Sequence, residues 1–128
     1  MTKYLQNNRG AAFIEAMYVF PMIILMLLAI PEIGFYIVDS QVVNTAMDLA
    51  LRQAQIDGYF SGAARALAEE TLEQAPTLRN YTLSGTEIET EWGGIVEVRI
   101  ESTRTMYIFS AVEVNLDRAV SGLSEFLP

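Results

Sequence analysis

The hydrophobic pattern of the chain begins with a long uncharged run and becomes amphipathic afterwards. The sixteen residues 16–31 carry no charge. This run is close to the ~20 apolar residues that a helix needs to cross a bilayer, and it reaches that length if it continues through 33–38. Apolar residues then recur at intervals of three and four, as in an amphipathic helix: Val43, Ala46, Met47, Ala50, Leu51 and Ala54. We therefore expect one helix over about 11–57, stopped by Gly58.

Two prolines lie in the apolar part of this predicted helix. Pro21 and Pro31 each lack a backbone donor and clash with the preceding turn, so we expect kinks or local melting near both. They are either ordinary transmembrane prolines or sites where the helix bends when it leaves lipid and packs in a bundle. Both remain candidate assembly residues.

The second half of the chain predicts a short helix followed by strands. Small and apolar residues keep the helical spacing over 61–75, before Pro76. From residue 78 the period becomes two, which predicts strands at 81–84, 87–92, 95–106 and 112–116, with a hairpin at Gly93–Gly94. Three or four antiparallel strands with one apolar face need a cover, and the later half of the long helix is the obvious one. The predicted fold class is α+β, and the apolar ending at 122–128 either packs on the sheet or docks on a neighbouring subunit.

Composition restricts the chemistry that the chain can perform. It has 128 residues with no cysteine and no histidine, so thiolate nucleophiles, disulfides and imidazole-based sites are excluded. Glu87, Glu89 and Glu91 would share one strand face, where their side chains diverge too far for a calcium cage, so a solvated face offset by Arg99 or Arg104 is the better interpretation. We predict no catalytic residue, no metal site and no cofactor.

Two further features have mainly structural interpretations. Asn80-Tyr81-Thr82 matches the acceptor pattern for N-glycosylation, a pattern that is common by chance. Trp92 is the single tryptophan, and we expect it in the core or at the end of the predicted hairpin rather than in a binding site.

The distribution of charge predicts the orientation of the chain in a membrane. Lys3 and Arg9 are the only charged residues before Glu15, and all sixteen acidic residues lie at or after that position. Positive charge on a short N-terminal flank keeps that end in the cytoplasm, so we expect the C-terminal part to be exported. That part is acidic, which argues against nucleic acid and anionic lipid headgroups as partners.

Glu15 is the unusual residue of the N-terminal segment, because it places a charge at the start of an apolar run. An ionisable group at membrane depth is costly without a partner, which makes it a candidate functional residue. Glu32 follows Pro31 directly and has two interpretations. It marks the outer edge of the hydrocarbon layer, with Tyr36 as an interfacial aromatic residue, or it is a second buried acid that seeks a cation or hydrogen bond from another subunit.

The string Asn8-Arg9-Gly10-Ala11-Ala12-Phe13-Ile14-Glu15, with the apolar run behind it, resembles the class III signal of type IV pilins. The resemblance implies that a prepilin peptidase cleaves between Gly10 and Ala11, leaving Glu15 as the fifth residue of the mature chain. The new amino group of Ala11 on one subunit would then meet Glu15 of its neighbour, since each charge needs the other in a low-dielectric setting. The alternative is a signal anchor whose Glu15 lies in the headgroup layer.

The first third to half of the chain also resembles the TadE-like family of the tight-adherence (Flp) pilus system. The shared features are a glycine, a glutamate, a proline in the apolar run and an acidic-aliphatic-glycine step at its end, here Glu32-Ile33-Gly34. The family's processing glycine and glutamate correspond to Gly10 and Glu15, and no other residue can be carried over.

Together these features predict a structural pilin or pilin-like subunit rather than an enzyme. The expected organisation is a leader at 1–10, a transmembrane and assembly helix at 11–38, and a soluble head at 39–128. The expected partners are further copies of the chain, prepilin peptidase, membrane lipid before assembly and the pilus assembly machinery. We expect a single-pass precursor in the cytoplasmic membrane that ends in a filament at the cell surface. The alternatives are a minor TadE-like pseudopilin and an uncleaved membrane anchor whose head binds another envelope component.

Overall fold

The computed structural model describes residues 3–106, 108 and 112–127, with side chains described from Gly10 onward. One long helix, α1 (Lys3–Asp57), is followed by a short helix, α2 (Gly62–Leu72). Four strands follow: β1 (Leu78–Gly85), β2 (Ile95–Thr105), β3 (Glu113–Asn115) and β4 (Arg118–Leu123). The predicted α+β class, with a long N-terminal helix, a second short helix and a small antiparallel sheet, is confirmed.

Helix α1 is longer than expected and continuous through both prolines. It has 55 residues, begins at Lys3 rather than near residue 11, and extends about 80 Å at ~1.5 Å per residue. Pro21 and Pro31 lie inside it, so the predicted local melting is absent from the described helix. The predicted stop is confirmed, because Gly58 follows Asp57 with a φ of 77°, a left-handed conformation that glycine adopts without strain.

Helix α2 begins one residue after its predicted start and ends three residues before its predicted end. Ser61 caps it by accepting a hydrogen bond from the amide of Ala64 at 3.2 Å. Its buried residues are Ala64, Ala68 and Leu72, which pack on α1. The carboxylates on its outer side lie near Tyr81 of β1. Burial raises the pKa of the Tyr81 hydroxyl above its ordinary value, and the charges of Glu69 and Glu73 raise it further.

The sheet is built around β2, the longest strand. Strand β1 pairs antiparallel with one edge of β2. On the other edge β4 pairs with the first half of β2 and β3 with its last residues, so β3 and β4 form one broken strand. The break lies at Leu116 and Asp117, where the amide of Ser102 donates to the Asp117 carboxylate at 3.3 Å. The pairing of β4 confirms that the described C-terminal residues pack on the sheet.

The expected strand at 87–92 does not form. Residues 86–94 are a loop in which Ile88 is 80% exposed and Trp92 is 69% exposed, so Trp92 lies neither in the core nor at the end of a hairpin, and both predicted positions are wrong. The predicted hairpin at Gly93–Gly94 would pair this segment with β2, but β1 and β4 already occupy both edges of that strand. Glu87, Glu89 and Glu91 therefore lie on an exposed loop rather than on a strand face.

The core lies between the sheet and the later half of α1, as predicted. Alternate residues of β2 face inward, so Val96, Val98 and Ile100 are fully buried while Glu97 and Arg99 are exposed. The helical side of the core consists mainly of small residues at three- and four-residue spacing: Val43, Ala46, Met47, Ala50 and Ala54 of α1, with Ala64, Ala68 and Leu72 of α2. Alanine in both helices lets them approach closely.

This close packing predicts that enlarging a buried alanine destabilises the head. Ala68 has no exposed surface, so Ala68→Leu should lower the free energy of unfolding by about 1–3 kcal/mol, the usual cost of overpacking a core. Ala66→Leu is the matched control, because Ala66 is exposed on the same helix. Urea unfolding of the full chain in detergent, followed by circular dichroism, measures both. Equal midpoints for the two variants would contradict the packing described here.

Candidate functional site

The strongest polar cluster in the described residues lies where α1 leaves the head. It consists of Arg104 from β2, Glu32 and Asp39 from α1, and Thr77 from the segment before β1. Arg104 is 2% exposed and Asp39 is fully buried. Because charged groups are costly to bury, each must find a partner inside the protein.

The periodicities of the two elements bring these residues together. Residues 96, 98, 100, 102 and 104 share the inner face of β2, so Arg104 lies on the same face as the core valines. Glu32 and Asp39 are seven residues apart, two helical turns, and lie on the same side of α1 as Val43. The end of β2 therefore meets α1 at these two carboxylates.

The guanidinium of Arg104 binds both carboxylates with different nitrogens. Its Nη2 donates to Glu32 Oε1 at 2.8 Å, and its Nε donates to Asp39 Oδ2 at 3.2 Å. The ring of Tyr36 lies on the same helix face, with its centroid 5.6 Å from Cζ of Arg104, within the range of cation–π attraction. The fixed fork of arginine suits this arrangement, since it reaches two acceptors without bending.

Thr77 completes the hydrogen bonding of Asp39. Its hydroxyl donates to Asp39 Oδ2, and its amide donates to Asp39 Oδ1 at 3.4 Å. Arg104 Nε also lies 3.3 Å from the Thr77 hydroxyl oxygen. Among the described residues, no buried polar side-chain atom lacks a hydrogen-bond partner. The cluster thus ties α1 to the start of β1 and the end of β2, and it fixes the position of the sheet along the helix.

The residues predicted for processing and assembly lie outside this cluster, except Glu32. Gly10, Ala11, Glu15, Pro21 and Pro31 are all exposed along the first half of α1. Ala11 and Glu15 are four residues apart and lie on one side of the helix. Among the described side chains Glu15 makes no salt bridge. The first half of α1 therefore presents its candidate residues outward instead of assembling them into a site.

Glu32 has a partner that the sequence interpretation did not identify. Its cation comes from Arg104 of the same chain rather than from another subunit, and the predicted position at the membrane edge stays a prediction. Arg104 was expected on the solvent face opposite the glutamates, which is wrong because it continues the inward alternation of β2. Asp39 and Thr77 were missed entirely. The signal for Asp39 was its two-turn spacing from Glu32 on the apolar side of α1.

The apolar half of α1 forms the other part of the candidate site. Among the described residues there is one helix long and apolar enough to cross a membrane, and it covers Gly10–Asp57. Its most apolar stretch is not buried against the head. Large side chains are exposed here, including Phe13, Tyr18, Phe20 and Met26 at 65–75% exposure. A helix with these properties is compatible with a single-pass membrane anchor.

Comparison of the chain with family models, curated proteins and solved structures found no match. The function of the chain is therefore inferred from its own geometry and from the sequence features of its N-terminal segment.

The buried cluster predicts a large loss of stability when its single cation is removed. Arg104→Ala leaves two carboxylates without the guanidinium, and breaking a buried ion pair costs about 3–5 kcal/mol in the free energy of unfolding. Arg99→Ala is the control, because Arg99 pairs with Glu101 at 3.5 Å while both side chains are 54% exposed. An exposed pair contributes only about 0–1 kcal/mol.

Chemical unfolding of both full-length variants in the same detergent tests this difference. The result that contradicts the assignment is an Arg104→Ala variant that unfolds at the same denaturant concentration as Arg99→Ala.

Proposed function

We propose that the chain is a membrane-stored structural subunit that assembles through the first half of α1 into a type IV-like filament. The observation that carries the proposal is the exposed apolar half of α1, which continues without a break into the core helix of the head. Such a surface is stable only when lipid or other apolar helices cover it. Because lipid and other apolar helices can both cover this surface, the same helix can lie in a membrane first and in a helix bundle afterwards.

Glu15 supports assembly over simple anchoring. A carboxylate among exposed apolar side chains is costly in lipid, and no described side chain of its own chain neutralises it. Cleavage between Gly10 and Ala11 would create an ammonium group one helical turn away from Glu15. Pairing of that amine with Glu15 of the next subunit would neutralise both charges and set the axial step between neighbouring helices.

The same contact, repeated between every pair of neighbours, generates a fibre. The amine of one subunit meets the carboxylate of the next, so the contact is head-to-tail and leaves a free group at each end. A head-to-tail contact whose rotation does not close gives an open helical filament. The head, which packs mainly on the later half of α1, would coat the outside, and the prepilin peptidase and assembly machinery would be the transient partners.

A second candidate is an uncleaved single-pass anchor whose head binds another envelope component. The observation that favours it is the continuity of α1 through Gly10 and Ala11. A peptide bond inside a regular helix has its backbone hydrogen-bonded within the helix and is less accessible to a protease than an extended segment. A minor, TadE-like subunit remains an alternative within the filament system, and the number of copies in sheared filaments separates it from a major subunit.

The proposal predicts that Glu15 is required for assembly and not for membrane insertion. Glu15→Ala and Glu15→Gln should both leave membrane insertion intact and reduce filament yield several-fold, because each removes the charge that neutralises the neighbour's amine. Met17→Ala is the control, since it shortens an exposed apolar residue on the same helix without changing a charge. Membrane fractionation and the yield of sheared filaments are the two measurements. Normal filament yield from both Glu15 variants would remove its assigned role.

Cleavage is tested separately by the intact mass of the assembled protein. We expect the mature chain to begin at Ala11, and we expect Gly10→Val to accumulate as a precursor that inserts in the membrane and does not polymerise. A filament built from chains that keep residues 1–10 would contradict the pairing mechanism and favour the uncleaved anchor.

A further inference from the structure

The end of the sheet nearest the apolar half of α1 forms a notch with that helix. Strand β2 runs toward this half, since Arg104 near its end contacts Glu32. Just beyond the strand, Met106 and Ile108 line the notch together with residues of α1: Leu25, Leu28, Ala29, Glu32 and Ile33. The notch encloses about 180 Å³. The head therefore contacts α1 below the level of the buried ion pair.

The chemistry of the notch is apolar apart from one residue at its rim. Among the described residues that line the notch, Glu32 alone carries a charge, and its carboxylate accepts a hydrogen bond from Arg104 at 2.8 Å. The residues that lead to and from this end of the sheet, 106–112, include no Asp, Glu, Lys or Arg. Val112, where the described chain resumes, is 46% exposed.

The position of the notch along α1 decides what surrounds it. Leu25 lies seven residues before Glu32, which places it about 10 Å further along the helix axis at ~1.5 Å per residue. A hydrocarbon layer that ended at Leu25 would leave only residues 10–24 inside it, about 22 Å of helix, whereas the layer is about 30 Å thick. If the hydrocarbon layer ends near Glu32 instead, the full apolar segment lies inside it and is long enough to cross it. The notch then lies at the level of the outer leaflet.

We propose that this end of the head is a second membrane contact. Met106, Ile108 and Val112 lie in the outer leaflet beside α1, and the notch takes an acyl chain of a phospholipid. An acyl chain suits the notch because it is flexible and apolar and requires no hydrogen-bond partner. The Glu32–Arg104 pair lies directly above and separates this lipid contact from the core of the head. The inference rests on the membrane-anchor part of the proposed function and is independent of filament assembly.

The absence of cysteine from the sequence makes a direct test possible, since any single cysteine introduced is unique. Ile108→Cys and Val112→Cys each receive an environment-sensitive fluorophore, and the full-length chain is reconstituted in phosphatidylcholine vesicles. Val112 is included because a label on an exposed residue displaces no packed side chain. Met26→Cys, an exposed residue of the apolar half of α1, reports on the anchor itself. Thr82→Cys, exposed on β1, reports on a part of the head that faces water.

Two quenchers then locate each label. At residues 108 and 112 we expect quenching by lipids that carry a nitroxide on the acyl chain, with several-fold weaker quenching by aqueous iodide than at residue 82. Iodide quenching at 108 and 112 equal to that at 82, with residue 26 protected, would overturn the inference and leave the anchor intact. If residue 26 is also open to iodide, the anchor fails as well.

A neighbouring copy of the chain is the remaining occupant to distinguish. Protection of residues 108 and 112 from both quenchers, with lipid access restored when the protein is diluted into excess vesicles, would mean that another subunit fills the notch. That result would overturn the lipid assignment.

Discussion

The placement of the head depends on one buried guanidinium. Arg104 is the only cation in the cluster that joins α1 to the sheet, and both helix carboxylates are oriented toward it. Removing these three charged groups from water is costly, and the cost is offset only when the ion-pair geometry is good and the remaining hydrogen bonds are made. If the register of β2 were shifted by one residue, every side chain of the strand would change face. Arg104 would then point to solvent, and Glu101 or Thr103 would be buried in its place. The cluster therefore contributes to specificity of register more directly than to net stability.

The two halves of α1 follow different physical requirements although they form one helix. The later half has small side chains on its buried side, with alanine at most core positions, and it is stabilised by packing against the sheet and α2. The first half has large exposed apolar side chains and depends on its surroundings for cover. Hydrogen bonding within the helix satisfies the backbone in either environment, so the same element passes from one to the other without a connecting loop.

The sequence predicted those elements whose signal is local and periodic. The spacing of Val43, Ala46 and Ala50 predicted the core face of α1, and the alternation in β2 predicted its two faces. The loop at 86–94 was missed because its alternation is as regular as that of β2. Whether such a segment pairs depends on which strand edges are available to it, and the alternation of residues in a sequence carries no information about that.

The site was less predictable than the fold, for a related reason. Glu32 was identified as a candidate residue, but its partner lies 72 residues away, and nothing local to either residue specifies the pair. Arg104 was named, as an alternative to Arg99, for the solvent side opposite the glutamates, whereas it is one of the rare charged residues that are buried. Extending the alternation of β2 by two more positions would have placed it inward, opposite a helix face that already carried Asp39. Glu15 differs, because its proposed partner belongs to another subunit and a single chain does not contain it.

The continuity of α1 has a mechanical consequence for the orientation of the head. From Glu32 to Asp57 the helix extends for about 38 Å above the buried ion pair, with no loop to decouple it from the lower half. A tilt of about 20°, the average for helices in bilayers, swings its far end sideways by about 13 Å. The loop at 86–94 and Trp92 lie at that far end, because the amide of Thr90 donates to the carbonyl of Gly58 at 2.8 Å. In the proposed membrane-anchored state, changes in bilayer thickness that alter the tilt would therefore be amplified, as by a lever, into movement of this outermost surface.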